Sequence, residues 1–347
     1  MTQTGSATKV AVYGPGAMGL HVTRMLHARG LRIVAALTRP GSDKVGRDLG
    51  TLAGIAPLGV PVRDDAERAL AQTAPDIVVV TVSTYLDETQ YEIFATAVRA
   101  GANVITLAEE MLYPFPTAAA RAEELDELAR RHGVTVTGTG HQDAYWVNLV
   151  SVLAGSADRL EKVEGRLAWN VDDFGPALAK QQQVGATVAE FDKWLADTAR
   201  RPTFGRSSLY ALAATAGLTP GRAETRTTAV VATRTTPCEA LGQDIAEGRV
   251  LGYTDTDTLH TEEGVELVIS STGKVYGAGE SDFNEWRTTG TPALHLRNEG
   301  LITADTTCAT LVNRIPQVLE AQAGIVTIDR LPQLRYRPPF RSTATRV

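Results

Sequence analysis

The first 140 or so residues alternate short, continuously apolar runs with longer stretches whose apolar positions recur three and four residues apart. An apolar run without a polar face marks a strand covered by helices on both sides, which is the signature of a parallel sheet. Such runs fall at Lys9 to Tyr13, Arg32 to Leu37, Ile77 to Val82, Asn103 to Thr106 and Val134 to Gly138. Helical periodicity covers Met18 to Arg29, Glu88 to Ala100 and Thr117 to His132. The rhythm predicts an α/β fold, a Rossmann-type doubly wound parallel sheet.

After about Asn148 the rhythm changes. Helical stretches at Val188 to Ala199 and Ser207 to Ala216 are interspersed with strand-like runs at Val163 to Asn170, Thr225 to Thr235, Val250 to Leu259, Val265 to Thr272 and Ala293 to Arg297. A short turn at Ser271 to Lys274, around Gly273, is expected to join successive strands. This predicts a second, α+β domain built on a largely antiparallel sheet. Asp305 to Leu319 reads as a helix that Pro316 kinks or ends and that returns to the first domain. The expected division is 1–147 with 304–347, and 148–303.

The glycines Gly14, Gly16 and Gly19 stand in GxGxxG spacing, Gly14-Pro15-Gly16-Ala17-Met18-Gly19, directly after the first strand and at the opening of a helix. In that context the motif predicts dinucleotide binding: a tight turn, a close backbone approach to the pyrophosphate, and close helix packing. The second strand ends in Leu37, Thr38, Arg39, with no carboxylate at its tip to meet a ribose 2'-hydroxyl. Arg39 suits a 2'-phosphate, helped by Ser42 and Lys44, so NADP is expected over NAD, with dual use still open. Ser83 and Thr84, beyond the next strand, are expected to border the cofactor or to cap the following helix.

Asn103 to Pro114 reads NVITLAEEMLYP, a strand followed at once by Glu109 and Glu110. A group at this strand end is expected to face the nicotinamide. The chain carries only six lysines, and none lies between Arg47 and Glu161, which excludes a lysine acid from this stretch. A carboxylate suits different chemistry, because an anion stabilises an iminium or ammonium and moves protons to and from nitrogen. Glu109 is the expected acid/base, and Glu110 is expected to cap or solvate the next segment.

Length and charge narrow the field. The 347 residues accommodate two domains at about 150 residues each. A formal net charge of −6 and a pI near 5.6 argue against nucleic acid as a partner. No apolar run approaches the roughly 20 residues needed to cross a bilayer, and the polar opening MTQTGSATKV predicts no secretory signal. Cys238 and Cys308 make neither a disulfide framework nor a metal site, so a cytoplasmic protein is expected. Asp255, Asp257 and His260 are read as one solvated strand face, and no metal is expected.

Several further segments together carry a resemblance: GTGHQDAYWVN (Gly138 to Asn148), AWNVDDFGP (Ala168 to Pro176), VGATVAEF (Val184 to Phe191) and LVNRIP (Leu311 to Pro316). With GPGAMG and NVITLAEEMLYP, the chain resembles the native amine dehydrogenases, relatives of 2,4-diaminopentanoate dehydrogenase. The resemblance implies an NAD(P)-dependent interconversion of amines with ketones or aldehydes plus ammonia, and a homodimer formed through the second domain. It places the catalytic glutamate at Glu109, pocket residues at Tyr145, Trp146, Trp169 and Asn170, and a contact to the nicotinamide amide at Asn313. His141 and Asp143 remain open as a proton relay. The aromatic His141 to Trp146 segment departs from the more polar one of the diamino acid enzymes and implies a small apolar carbonyl. Two rival readings stay open: an ammonia-independent carbonyl or semialdehyde reductase, and a non-catalytic NAD(P)H sensor.

Overall fold

The structure is a computed structural model that describes residues 8–197 and 202–338. The chain divides into two units, one comprising the residues up to Gly140 together with those from Thr307 on, the other His141–Thr306.

The first unit opens with strands β1 (Lys9–Tyr13) and β2 (Arg32–Leu37) around helix α1 (Ala17–Ala28). Then come α2 (Leu49–Leu52), β3 (Val62–Arg63), α3 (Ala66–Thr73), β4 (Ile77–Val80), α4 (Glu88–Arg99), β5 (Asn103–Thr106), α5 (Ala119–His132) and β6 (Thr135–Gly138). All pairings are parallel, in the order β6-β5-β4-β1-β2-β3. This is the strand order of the dinucleotide-binding doubly wound sheet. Successive residues of β4 serve opposite faces: Val78 and Val80 pack with Phe94, Val98 and Leu125, while Ile77 and Val79 pack with Val22, Leu26 and Leu311. Both faces are therefore apolar.

The second unit begins with a π-helical turn at Asp143–Asn148, α6 (Leu149–Ala154) and β7 (Arg159–Asn170). It continues through α7 (Pro176–Gln181), α8 (Val188–Asp197), α9 (Phe204–Ala216), β8 (Pro220–Val231), β9 (Thr236–Cys238), β10 (Gln243–Ile245), β11 (Val250–Thr261), β12 (Glu266–Lys274), β13 (Asp282–Thr291) and β14 (Leu294–Leu301). Six strands form one sheet, β14-β13-β7-β12-β11-β8, antiparallel except where β12 runs beside β7. Helix α10 (Thr303–Leu319) runs through Pro316 and leads to β15 (Gly324–Ile325), which adds to β6 at the edge of the first sheet.

Two expectations change here. The turn expected around Gly273 is the interior of β12; the chain reverses at Thr261 to Val265, where Gly264 has a φ of 83°. Gly273 is a glycine for another reason. It pairs with Trp169 on β7, and a Cβ there would sit 2.2 Å from the indole. Gly165 lies under Trp286 of β13 in the same way, 2.5 Å from the ring, so two cross-strand glycines make room for the largest side chains of this sheet. The second change concerns β11, where strand alternation carries Asp257 inward with Leu259. Asp257 is fully buried, accepting hydrogen bonds from Thr203 and Thr225 at 2.5 Å each, and only His260 of the expected solvated set faces outward among ions. Among the described residues no acid, histidine and cysteine cluster fits a metal ion, and no helix is long and apolar enough to cross a membrane.

Candidate active site

The register of the first sheet brings the candidate residues to one edge. Tyr13 is level with Leu37 and Val80, and Val80 with Thr106, so the segments that leave these four strands start side by side at their carboxyl ends. Ligands of open α/β sheets bind at this edge. Gly14–Gly19 leave β1, Thr38 and Arg39 leave β2, Ser83 and Thr84 follow β4, and Glu109 follows β5.

The glycine loop fits a dinucleotide. Gly14 has a φ of 95°, and a Cβ on it would lie 2.8 Å from Val82. A Cβ on Gly19 would lie 2.1 Å from the Gly14 carbonyl, so α1 can start only this close to β1 without a side chain there. Gly16 has open space where a Cβ would stand, the room a phosphate needs. No side chain caps α1 and its first turn holds no acid, which leaves its first N–H groups and its positive dipole end for an anion. The residues thus fit the pyrophosphate of a nicotinamide dinucleotide.

Beyond β5 the chain turns sharply. Thr106 Oγ1 donates to the Val80 carbonyl at 3.0 Å and accepts from Ala108 N–H at 3.1 Å, locking the turn that feeds a 3-10 segment at Glu109–Leu112. Gly138 at the end of β6 allows this segment to approach, since a Cβ would lie 2.4 Å from the Met111 carbonyl carbon. The two glutamates then part. Glu110 is buried, its Oε2 accepting the Leu86 N–H at 2.7 Å and its own N–H donating to the Thr84 carbonyl at 3.2 Å, so it fastens the β4 exit loop. Glu109 is half-buried, and desolvation pushes its carboxyl up to about 7, against the opposing pull of its own backbone N–H and of the Thr84 side chain. A carboxyl with this value holds both protonation states near neutral pH, as an acid/base group must.

In the second unit the expected pocket residues serve the fold as well. Trp146 is 2% exposed and packs with Val163, Leu167 and Trp286, so it belongs to the core. Trp169 covers Gly273 and stacks edge-on to Phe174, its Nε1 donating to Ser271 Oγ at 3.3 Å, and it lines a cavity with room for roughly one water, together with Phe204, Gln182 and Ser271. Asn170 accepts from the N–H groups of Asp172 and Tyr276, at 3.3 and 3.4 Å. Tyr145 is half-buried and stacks on the imidazole of His141, centroids 4.6 Å apart.

Sequence reasoning missed a buried polar chain that includes His141. Trp146 Nε1, which can only donate, donates to Asn284 Oδ1 at 2.9 Å, and this turns the Asn284 amide nitrogen toward His141 Nε2, also at 2.9 Å. His141 Nε2 therefore accepts, Nδ1 carries the hydrogen and donates to Thr306 Oγ1 at 2.7 Å, and Thr306 donates onward to the Thr303 carbonyl at 3.0 Å. Burial pushes the imidazole down to about 4. This histidine stays neutral and structural. Its signal was hidden because Asn284 sits 143 residues away on β13, a strand the hydrophobic pattern did not reveal.

Asn313 is engaged within the first unit. Its Oδ1 accepts from Arg29 Nη1 at 3.4 Å and from the Arg337 N–H at 3.2 Å. Arg29 caps the carboxyl end of α1, about 18 Å along the axis from the glycine loop. This amide oxygen fastens the last described residues to α1.

Comparison with known proteins agrees with the parallel sheet just described. The family model of the 2,4-diaminopentanoate dehydrogenase C-terminal domain matches residues 146–336, and that of the dihydrodipicolinate reductase N-terminus matches residues 8–106. A solved amine dehydrogenase from Mycobacterium smegmatis is 49% identical, covers 98% of this chain and all of its own, and superposes with a TM-score of 0.92. The chain belongs to the amine dehydrogenase family related to 2,4-diaminopentanoate dehydrogenase. That family comprises NAD(P)-dependent oxidoreductases acting on CH–NH2 groups. The 2,4-diaminopentanoate dehydrogenase of Acetoanaerobium sticklandii is 31% identical over 194 residues, 53% of this chain and 53% of that protein. The 4-hydroxy-tetrahydrodipicolinate reductase of Allorhizobium ampelinum is 34% identical over 167 residues, 47% of this chain and 55% of its own. The chain thus spans about half the length of these curated relatives.

Proposed function

We propose that this member of the amine dehydrogenase family reductively aminates small ketones or aldehydes with ammonia and runs the reverse oxidative deamination, preferring NADP while accommodating NAD. The observation that carries this reading is Glu109: a carboxyl poised near neutrality at the end of β5, in a span of sequence that holds no lysine. The bound nicotinamide supplies or accepts the hydride. Everything else falls to the chain. The Glu109 carboxylate stabilises the positive charge of an iminium, accepts a proton from the ammonium form of the nitrogen partner, and in its acid form returns one to the departing water. Thr84 orients the carboxylate and opposes its full protonation.

The decisive experiment is ammonia-dependent oxidation of NADPH with small aliphatic carbonyls, with amine-dependent reduction of NADP as the reverse assay. The oxidative direction needs Glu109 as a base, so its kcat/KM is expected to rise with pH through about 7 and level off above it. Equal NADPH oxidation with and without ammonia would instead favour the carbonyl reductase reading.

We also propose a homodimer. The sheet face of the second unit that points away from α9 carries paired hydroxyls, Thr254 with Thr272 at 2.8 Å and Thr256 with Ser270 at 3.1 Å, bordered by the Lys162–Glu266 ion pair at 2.9 Å. A half-exposed row of short hydroxyl side chains suits a second copy of itself. Light scattering is expected to return twice the mass of the 37.0 kDa chain, and a monomer at micromolar concentration would sink the proposal.

A further inference from the structure

The loop between β2 and β3 carries one of the few lysines of the chain, and it rests on the glycine loop. Lys44 Nζ donates a 2.6 Å hydrogen bond to the carbonyl of Pro15, the residue between the first two glycines. The turn presenting Lys44 is itself anchored. Ser42 accepts from the N–H groups of Lys44 and Val45, at 3.3 and 3.2 Å, and Gly46 N–H donates to Val62 on β3 at 2.8 Å. Lys44 is half-buried, whereas Arg39, the cation nearest the tip of β2 in sequence, is exposed.

An ammonium has three donors. One of them holds Nζ against Pro15, and Pro15 is the single partner of this group among the described residues, so two N–H groups remain for a ligand oxygen. The meeting point of the β2 tip and the glycine loop is where a doubly wound sheet holds the adenosine ribose. No carboxylate stands at that tip to accept from a 2'-hydroxyl, and the nearest acid of the loop, Asp43, is exposed. A cation already fixed in place binds a phosphate without the ordering cost that an exposed arginine must meet.

We propose that Lys44 reads the 2'-phosphate of NADP, with Arg39 as a second, outer cation. The inference rests on the NADP preference proposed above and names the residue that carries it. It also explains why the bond to Pro15 matters: the same contact that shapes the loop for the pyrophosphate positions the charge that discriminates the ribose.

The test is equilibrium binding, read by nicotinamide fluorescence for NADPH and NADH and by calorimetry for the fragments 2',5'-ADP and 5'-ADP. Lys44→Gln can still donate to the Pro15 carbonyl but lacks the charge. Lys44→Met removes both, and urea midpoints without cofactor establish that each variant folds. Both are expected to weaken NADPH and 2',5'-ADP by about 10- to 100-fold while NADH and 5'-ADP change less than about threefold. Equal losses for all four ligands, or Lys44→Gln behaving as wild type, would show a loop brace only and overturn the inference. A wild type that binds NADH as tightly as NADPH would overturn the cofactor reading itself; a wild type preferring NADPH by a margin that both variants retain overturns the role of Lys44 alone.

Discussion

Glu109→Gln is expected to lower kcat/KM for ammonia-dependent carbonyl reduction by about 100- to 10,000-fold, the usual contribution of a positioned acid/base group. Glutamine fills the same space and can still bond Thr84, so NADPH affinity should stay within about threefold of wild type. What it lacks is the charge and the exchangeable proton. The rise of the oxidative rate through pH 7 should therefore vanish in the variant together with the rate, because that limb belongs to a carboxyl that burial has pushed up to about 7. A variant retaining a third or more of wild-type kcat/KM would show that Glu109 neither moves the proton nor stabilises the cation. Glu110→Gln is the internal comparison. Its carboxylate is committed to Leu86 N–H, so any loss there should appear in stability rather than in the pH profile.

The second large effect concerns stability. Asn284→Leu would leave the Trp146 N–H and His141 Nε2 without their partner in a site where all three residues are 2% exposed. Each stranded group costs about 1–3 kcal/mol, so the urea midpoint is expected to fall by the equivalent of roughly 2–6 kcal/mol. A loss below about 1 kcal/mol would mean that the chain of hydrogen bonds contributes little. The same chain makes a pH prediction for the wild type. His141 stays neutral down to about 4 in the folded state but titrates near 6.5 unfolded, so between those values the unfolded chain binds the extra proton. Its contribution is complete above pH 6.5 and is lost as pH falls toward 4, on the order of 3 kcal/mol at most. In His141→Asn that acid-side slope should be shallower.

Much of the first unit was legible because its apolar runs have no competing explanation. The expected bounds of β1, β2 and β5 coincide with the observed strands, and α1, α4 and α5 differ by one or two residues at their ends. The glycine spacing and Glu109 followed from those strands, since both lie just beyond their carboxyl ends. What escaped notice had little or no apolar signal. β3 and β15 are two residues long. β13 turns Asp282, Asn284, Trp286 and Thr288 to the buried side, so only one inward position is apolar and the alternation disappears. With β13 unseen, the partner of His141 was unseen too, and Trp146 read as a pocket wall rather than as the first donor of a buried chain. Gly273 misled for a related reason: a glycine required by an indole across the strand is indistinguishable, in one dimension, from a glycine required by a turn.

The closing of the first sheet by β15 has a consequence for synthesis. The face that α10 covers with Leu311, Val312, Ile315 and Val318 is built from residues made nearly three hundred positions earlier, among them Val10, Val12 and Leu26. A ribosome that has released the first 140 residues presents a dinucleotide-binding sheet whose β6 edge is unpaired and one of whose two apolar faces is only partly covered, by α1 without α10. The nascent protein must hold this unfinished half through the whole translation of the second unit, so slow elongation between residues 141 and 306 lengthens its exposure to aggregation. Yield of soluble protein should therefore depend on translation speed across the second unit more than on the stability of the finished fold.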